Sequence, residues 1–145
     1  MAQITWGSPT QTLTNGYTGI ADGVASRFAN YLPFTNRVGD TAIALGTGAR
    51  TMFTFRIDYG ASFEMREIPN TSLDVALALL RHLQDGGVVS VDVGDGVNGP
   101  YTNCVLAPDG NVTLAMQDNV ELTYTLSVSV INLNGADMLC EYATT

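Results

Sequence analysis

The residues best able to do chemistry in this chain are one histidine, two cysteines and fourteen carboxylates. His82 has no cysteine or second histidine at the spacing of a zinc site, and no serine or cysteine can be tied to it as a nucleophile. Glu64 and Glu67 are three residues apart in a predicted strand, so they face opposite sides and do not converge as an acid–base pair would. We therefore expect no enzyme activity, and the sequence implies no cofactor.

Two further carboxylates, Asp92 and Asp95, lie in a glycine-rich stretch, DVGDGVNG, at residues 92–99. This stretch offers oxygen ligands, but it lacks the closing glutamate and the alternate-residue spacing of a calcium-binding loop. A turn that ends a strand is favoured, and whether the two aspartates bind a cation is open. The glycine motif of this stretch is too short to bind a phosphate group in the way a P-loop does, and the chain contains no lysine to contact the phosphate.

The charge of the chain is divided unevenly between its two halves. Residues 1–81 contain six arginines and six acids, whereas residues 82–145 contain eight acids and no arginine or lysine, so the net charge of −8 comes from the second half. A surface of one sign repels nucleic acid and anionic membranes and favours cations or basic partners. Only 14% of the residues are charged, against about 25% in typical proteins, which indicates that other subunits cover much of the surface.

Neither membrane insertion nor export is indicated by the sequence. The longest apolar runs, near residues 75–80 and 126–131, are far shorter than the ~20 residues that span a bilayer. The first residues lack the basic and apolar regions of a signal peptide. We therefore expect Cys104 and Cys140 to be free, buried thiols rather than a disulfide.

The best-defined element is a strand from Val120 to Leu133, which alternates strictly between apolar and polar residues. The residues expected in the core are Leu122, Tyr124, Leu126, Val128 and Val130. The opposite, solvent-side face consists of Glu121, Thr123, Thr125, Ser127 and Ser129. A strand much longer than the mean of about 5–6 residues is typical of extended hairpins and barrel walls.

One amphipathic helix is predicted at about residues 72–85. Asn70–Ser72 provide capping groups, and Gly86 and Gly87 end the helix. The residues expected to face the core are Leu73, Ala76, Leu77, Leu80 and Leu83. Val88–Val93 follows as a strand whose valines suggest burial on both faces.

The remaining strands form two predicted pairs. Met52–Tyr59 and Phe63–Ile68 are expected to pair antiparallel around Gly60, and Thr102–Ala107 and Val112–Met116 are joined by a predicted tight turn at residues 108–111. The chain is thus predicted to be one domain, 1–145, of mainly β (α+β) class. Its architecture would be an antiparallel β-sandwich or split barrel with one flanking helix.

Two segments have no clear periodicity. Residues 1–24 are expected to form an N-terminal arm, and residues 30–49 a long extended loop. A loop of this length in a compact domain is usually functional or ordered by a partner. Its apolar residues would then make assembly contacts: Leu32, Phe34, Val38, Ile43 and Leu45.

The order of a β-hairpin, a helix ending in Gly-Gly (SLDVALALLRHLQDGG), a valine-rich strand (VVSVDV) and a closing meander (YTNCVLAPDGNVTLAMQDNVELTYTLSVSVINL) resembles the small ring-forming tail proteins of tailed bacteriophages. These include tail tube, distal tail and baseplate-hub proteins. The resemblance implies a virion structural protein that forms a hexameric ring, assembled in the cytoplasm of the host bacterium. Its partners would be further copies of itself and neighbouring tail proteins. DNA would pass through the ring without specific binding.

In such a ring the cation-free C-terminal half suggests a channel wall that does not hold phosphate. The residues we expect to face the channel are Asp92, Asp95, Glu121, Thr123, Thr125, Ser127 and Ser129. The alternative function is a ligand- or carbohydrate-binding β-sandwich that uses the aromatic residues Trp6, Tyr17, Tyr31 and Tyr101. A monomer in solution would favour the binding module, and a hexamer or a ladder of rings the tail protein.

Overall fold

The computed structural model describes residues 2–14, 27–43, 46, 48–108, 110–117 and 123–141, with only the backbone at 41–43 and 117. In this part of the chain, eight strands form one antiparallel sheet that is accompanied by one α-helix. The elements are β1 Gln3–Trp6, β2 Gln11–Thr14, β3 Ala29–Ile43, β4 Arg50–Pro69, α1 Leu73–Gln84, β5 Val89–Asp92, β6 Tyr101–Leu106, β7 Thr113–Gln117 and β8 Thr123–Asn132. The predicted mainly β class with a flanking helix is confirmed. The predicted N-terminal arm is wrong where the structure describes it, because β1 and β2 belong to the sheet and place Ile4, Trp6 and Leu13 in the core; residues 15–24 lie outside the described residues.

Strand β8 organises the sheet, whose order is β2-β1-β5-β6-β8-β4-β3. One edge of β8 pairs with β4, and the other edge pairs with β7 over Thr123–Ser127 and with β6 over Val130–Asn132. Since β6 and β7 both run antiparallel to β8, they point in the same direction and lie end to end. The predicted turn at residues 108–111 is therefore a kink in one line of strands, where Gly110 N donates to Ala107 O at 2.9 Å, and the chain does not reverse there.

The core lies on one face of the sheet, under α1. Alternate residues of β4, β5 and β8 point into it: Phe63, Met65, Val89, Val91, Leu126, Val128 and Val130. Helix α1 adds Ala76, Leu79 and Leu83, so its most buried stripe includes Leu79 and not the predicted Leu77, which is half-buried. In β5, Ser90 and Asp92 are only half-buried, so the prediction that this strand is buried on both faces is wrong.

The predicted alternation of β8 is confirmed at Leu126, Val128 and Val130. Tyr124 is half-buried, and its hydroxyl donates to Asn70 Oδ1 at 3.1 Å. Leu122 lies outside the described residues. The strand therefore has the predicted register over the length that the structure describes.

The segment predicted as a long loop, residues 30–49, is instead mostly strand β3, which pairs along its length with β4. Pro33, Gly39 and two register shifts interrupt its alternation, and most of its described side chains are exposed. A strand without a buried face has no need of apolar–polar alternation, so the sequence signal is absent. The predicted pairing of Met52–Tyr59 with Phe63–Ile68 is also wrong, because both belong to the single strand β4.

Strand β4 runs without a break through Gly60, a position that has no room for a side chain. A Cβ there would collide with the Val130 carbonyl oxygen and lie 3.1 Å from Ile131 Cα. We expect Gly60→Ala to lower the free energy of unfolding by about 2–3 kcal/mol. Gly48→Ala is the control: its φ of +72° costs about 1 kcal/mol, but nothing lies near its Cβ. Equal losses for the two variants in urea denaturation would contradict this close approach.

Candidate functional site

The face of the sheet opposite the core, here called the polar face, consists of Ser62 and Glu64 of β4, Ser90 and Asp92 of β5, and Thr125, Ser127 and Ser129 of β8. All of these side chains are half-buried, and they alternate with the core residues of the same strands. Register places Ser62 beside Ser129 and Glu64 beside Ser127. The hydroxyls of Ser62 and Ser129 are 2.5 Å apart. The result is a patch of mostly small hydroxyl side chains on the paired strands β4 and β8, and Ser90 and Asp92 lie apart from it, on the far side of β6.

Four residues that the sequence assigns to a channel lie on the polar face: Thr125, Ser127 and Ser129 together on β8, and Asp92 on β5, two strands away. Thr123 is buried, since β8 runs there between Pro69 of β4 and Gln117 of β7. Glu121 lies outside the described residues. Thr123 therefore does not belong to the exposed part of this face.

The polar face also carries a cation that the sequence argument, limited to the C-terminal half, did not include. Arg66 of β4 binds Glu64 through Nη2 and Nε, at 2.8 and 3.0 Å from Oε2. Asn30 Nδ2 donates to the same oxygen at 2.9 Å. Because the Glu64 carboxylate holds this guanidinium, the pair contributes no net charge to the face.

Asp95, also predicted to face the channel, is instead committed to hydrogen bonds in the loop after β5. Oδ1 accepts from Val97 N and Asn98 N at 2.9 and 2.8 Å, and Oδ2 accepts from Asn98 Nδ2 and Glu141 N, both at 2.8 Å. Desolvation by itself would raise the pKa of Asp95, but these hydrogen bonds outweigh it and lower the pKa to about 2. Asp95 thus fastens the C-terminal segment to the loop. No group of three or more His, Cys, Asp or Glu in the described ranges is placed to hold a metal ion.

Asp95→Asn should lower the free energy of unfolding at pH 7 by about 1–2 kcal/mol. One acceptor oxygen would become an NH₂ group that faces two N–H donors. Since the folded-state pKa of Asp95 is lowered to about 2, its stabilisation is complete above the unfolded value of about 3.9 and is lost as the pH falls toward 2. Denaturation at pH 7 and at low pH should show the two proteins converging. A gap of the same size at both pH values would contradict this role.

Asp92→Asn is the matched control for this experiment. Asp92 Oδ1 accepts one hydrogen bond, from Gly94 N at 3.0 Å. An asparagine oxygen can accept the same bond, so we expect the stability of this variant to stay within about 0.5 kcal/mol of the wild type.

A second candidate surface is the arm, defined as residues 34–43 of β3 and 50–59 of β4. Because β8 pairs with β4 only from Gly60 onward, the two strands of the arm pair with each other and leave the rest of the sheet. Large apolar side chains of the arm are exposed, including Phe53 at 51% and Phe55 at 71%. Met52 and Ile57 are exposed as well.

The residues predicted to make assembly contacts lie in and beside the arm. Leu32 is exposed at its base, whereas Phe34 and Val38 are half-buried, Phe34 against Gly60. The side chain of Ile43 is not described, and Leu45 lies outside the described residues. The exposure of Phe53, Phe55 and Ile57 was not predicted from the sequence. Apolar–polar alternation predicts a buried face, but it does not distinguish a face that packs in the core from one that binds another subunit.

The aromatic residues of the alternative binding function do not form an exposed platform where the structure describes them. Trp6 is buried, with its ring centroid 6.4 Å from that of His82. The hydroxyls of Tyr31 and Tyr101 donate to Met138 O and Leu139 O at 2.9 and 2.6 Å, which ties both rings to the C-terminal segment. Tyr17 lies outside the described residues.

Neither Cys104 nor Cys140 forms a disulfide, as the sequence predicts. Cys104 is buried and Cys140 half-buried. Burial raises the pKa of the Cys104 thiol, although a hydrogen bond from Asn132 acts in the opposite direction. A thiol with a raised pKa is a poor nucleophile at neutral pH.

Comparison with known protein families finds no family model that matches this chain. Comparison with characterised proteins likewise finds no matching relative. In the part of the chain that the structure describes, no helix has the length and apolar character needed to cross a membrane. The arm and the polar face are therefore the observations from which a function can be inferred.

Proposed function

We propose that this protein is a structural subunit of a bacteriophage tail that assembles into a ring, of six copies by resemblance, around a channel for DNA. The observation that carries the proposal is the arm, which exposes Phe53, Phe55 and Ile57 on a two-stranded extension of the sheet. An isolated two-stranded hairpin is only marginally stable in water. Contiguous exposed apolar residues mark surfaces that bind another protein. The arm therefore gains stability when a neighbouring subunit covers it.

The edges of the sheet support the same proposal. Strands β2 and β3 end the strand order, and in the described residues neither has a partner on its outer side. A long unpaired edge such as that of β3 is a template for pairing with another chain. A contact between different surfaces of successive copies repeats around an axis and closes into a ring when the rotation permits.

The polar face has the chemistry that a channel wall for DNA requires. Thr125, Ser127 and Ser129 are small and uncharged, and Glu64 neutralises the guanidinium of Arg66. The net charge of −8 repels phosphate at longer range. Such a wall lets a polyanion slide without retaining it, which fits a virion protein of the tail.

The proposal is tested by replacing Phe53, Phe55 and Ile57 with serine in one variant. Because all three side chains are exposed, the subunit should stay folded, and loss of their apolar contacts should convert the assembly into monomers. Light scattering after size exclusion measures the mass, and circular dichroism checks the fold. Val97→Ser is the control, since Val97 is as exposed as Phe55, at 71%, but lies outside the arm. An oligomer of unchanged mass in the triple variant would contradict the proposal.

A further inference from the structure

A cavity of about 400 Å³ opens on the polar face at the base of the arm. Its walls come from β3, β4, β8 and the kink between β6 and β7. Polar atoms are supplied by Asn36, Asp58, Ser62 and Ser129, and apolar surface by Phe34 and Ile131. This volume is at the lower end of the range of small-molecule sites, about 300–1,000 Å³. The cavity therefore has room for a ligand the size of one sugar ring.

Asp58, which lines this cavity, has one carboxylate oxygen without a hydrogen-bond partner among the described residues. Asp58 is 7% exposed, and its Oδ1 accepts a hydrogen bond from Arg56 Nε at 3.0 Å. Its Oδ2 is buried and has no hydrogen-bond partner among the described residues. A buried acceptor without a donor is destabilising, so a ligand that donates to Oδ2 removes a cost already present in the free protein.

The surroundings of Asp58 determine the kind of donor that fits. Arg56 balances the charge of Asp58, so the cavity has no net charge to attract a cation. A metal ion would find only one carboxylate, with one of its oxygens already bonded to Arg56. A neutral hydroxyl group can donate to Oδ2 without an added charge.

The remaining wall suits a ligand that carries several hydroxyls. The hydroxyls of Ser62 and Ser129 and the amide of Asn36 offer both donors and acceptors. Phe34 and Ile131 offer apolar surface for the C–H face of a ring. We propose that the Asp58 cavity is a saccharide-binding site that takes one neutral sugar ring, with a sugar hydroxyl donating to Asp58 Oδ2. This site does not depend on ring assembly.

Saturation-transfer NMR on the full chain tests the site with four probes: methyl α-glucoside, methyl β-galactoside, methyl α-mannoside and N-acetylglucosamine. At least one probe should bind saturably, and Asp58→Asn should weaken it at least about tenfold. In that variant the amide oxygen stays with the Arg56 N–H, and the NH₂ group, a donor, replaces Oδ2. Asp74→Asn removes an exposed carboxylate of α1 and should leave the affinity unchanged.

A second variant keeps the test decisive if Asp58→Asn does not fold. Ala107→Leu adds bulk to the cavity wall without altering Asp58, and it should also abolish binding. The proposal is overturned if no probe binds, if both variants bind like the wild type, or if agmatine, a guanidinium cation, binds at this cavity in preference to all four sugars.

Discussion

Leu126→Asp should prevent the chain from folding, whereas Thr125→Asp should leave it folded. Leu126 is 0% exposed and lies between Met65 of β4 and Leu114 of β7. Loss of a buried leucine side chain costs ~1.5–3 kcal/mol, and burial of an unpaired carboxylate costs several kcal/mol more. Together these approach the ~5–15 kcal/mol total stability of a typical domain.

Thr125 is the matched position, since it is the neighbouring residue on the same strand and faces the opposite side of the sheet. It is half-buried on the polar face, where a carboxylate can stay hydrated. Far-ultraviolet circular dichroism and thermal denaturation of the two variants provide the comparison. If both variants fold with similar melting temperatures, the register of β8 is wrong and so is the assignment of the polar face.

Removal of the arm should leave a folded subunit that no longer assembles. Asn36 and Asp58 are register partners across β3 and β4, so residues 37–57 can be replaced by an Asn-Gly turn that closes the shortened hairpin. The core should be preserved, because the residues of β4 that pack in it begin at Ala61. Asp58→Asn is included in the shortened protein, because the deletion removes Arg56, which balances the charge of Asp58. The expected result is a monomer at every concentration tested, measured by sedimentation velocity.

A matched control for this deletion keeps the length of the arm and changes only its polar residues. Thr51→Ser and Thr54→Ser alter exposed positions of the arm and retain Phe53 and Phe55. This control should assemble like the wild type. Assembly of the shortened protein at the wild-type mass would exclude the arm as the subunit contact.

The parts of the fold that sequence reasoning predicted are those with one buried face. In β8 and α1 the apolar positions have to meet a core, so periodicity reports both the type of the element and its register. The exception within α1 is small: the buried position is Leu79 and not Leu77, because neighbouring leucines leave the direction of the stripe ambiguous.

The parts that sequence reasoning missed are set by long-range contacts. Strand β3 lacks a buried face. Strand β4 passes straight through Gly60, where a turn was expected, because β3 pairs with it on both sides of that glycine. The kink at residues 107–112 has the residues of a hairpin turn. The chain nevertheless continues in the same direction, because both flanking strands pair antiparallel with β8. The local pattern of apolar and polar residues in a strand does not indicate which other strand pairs with it.

The candidate sites likewise contain residues that the local pattern predicted and residues that only long-range contacts bring into place. Four of the predicted channel residues share the polar face because strand periodicity places them there. The commitment of Asp95 to Glu141 N depends on residues 46 positions apart. Arg66 alternates along β4 with Ser62 and Glu64, which pair with Ser129 and Ser127 of β8. The Asp58 cavity is lined by residues of β3, β4, β8 and the kink, so no residue spacing in the sequence predicts it.

Negative-stain electron microscopy of the purified full chain tests the central claim most directly. Assembly through the arm around a channel lined by the polar face predicts closed rings with an open lumen, or stacks of such rings. The protein in which an Asn-Gly turn replaces residues 37–57 should give only particles of single-subunit size. Single-subunit particles for the unaltered chain as well, at concentrations up to those at which it stays soluble, would contradict the proposal that this protein builds a ring.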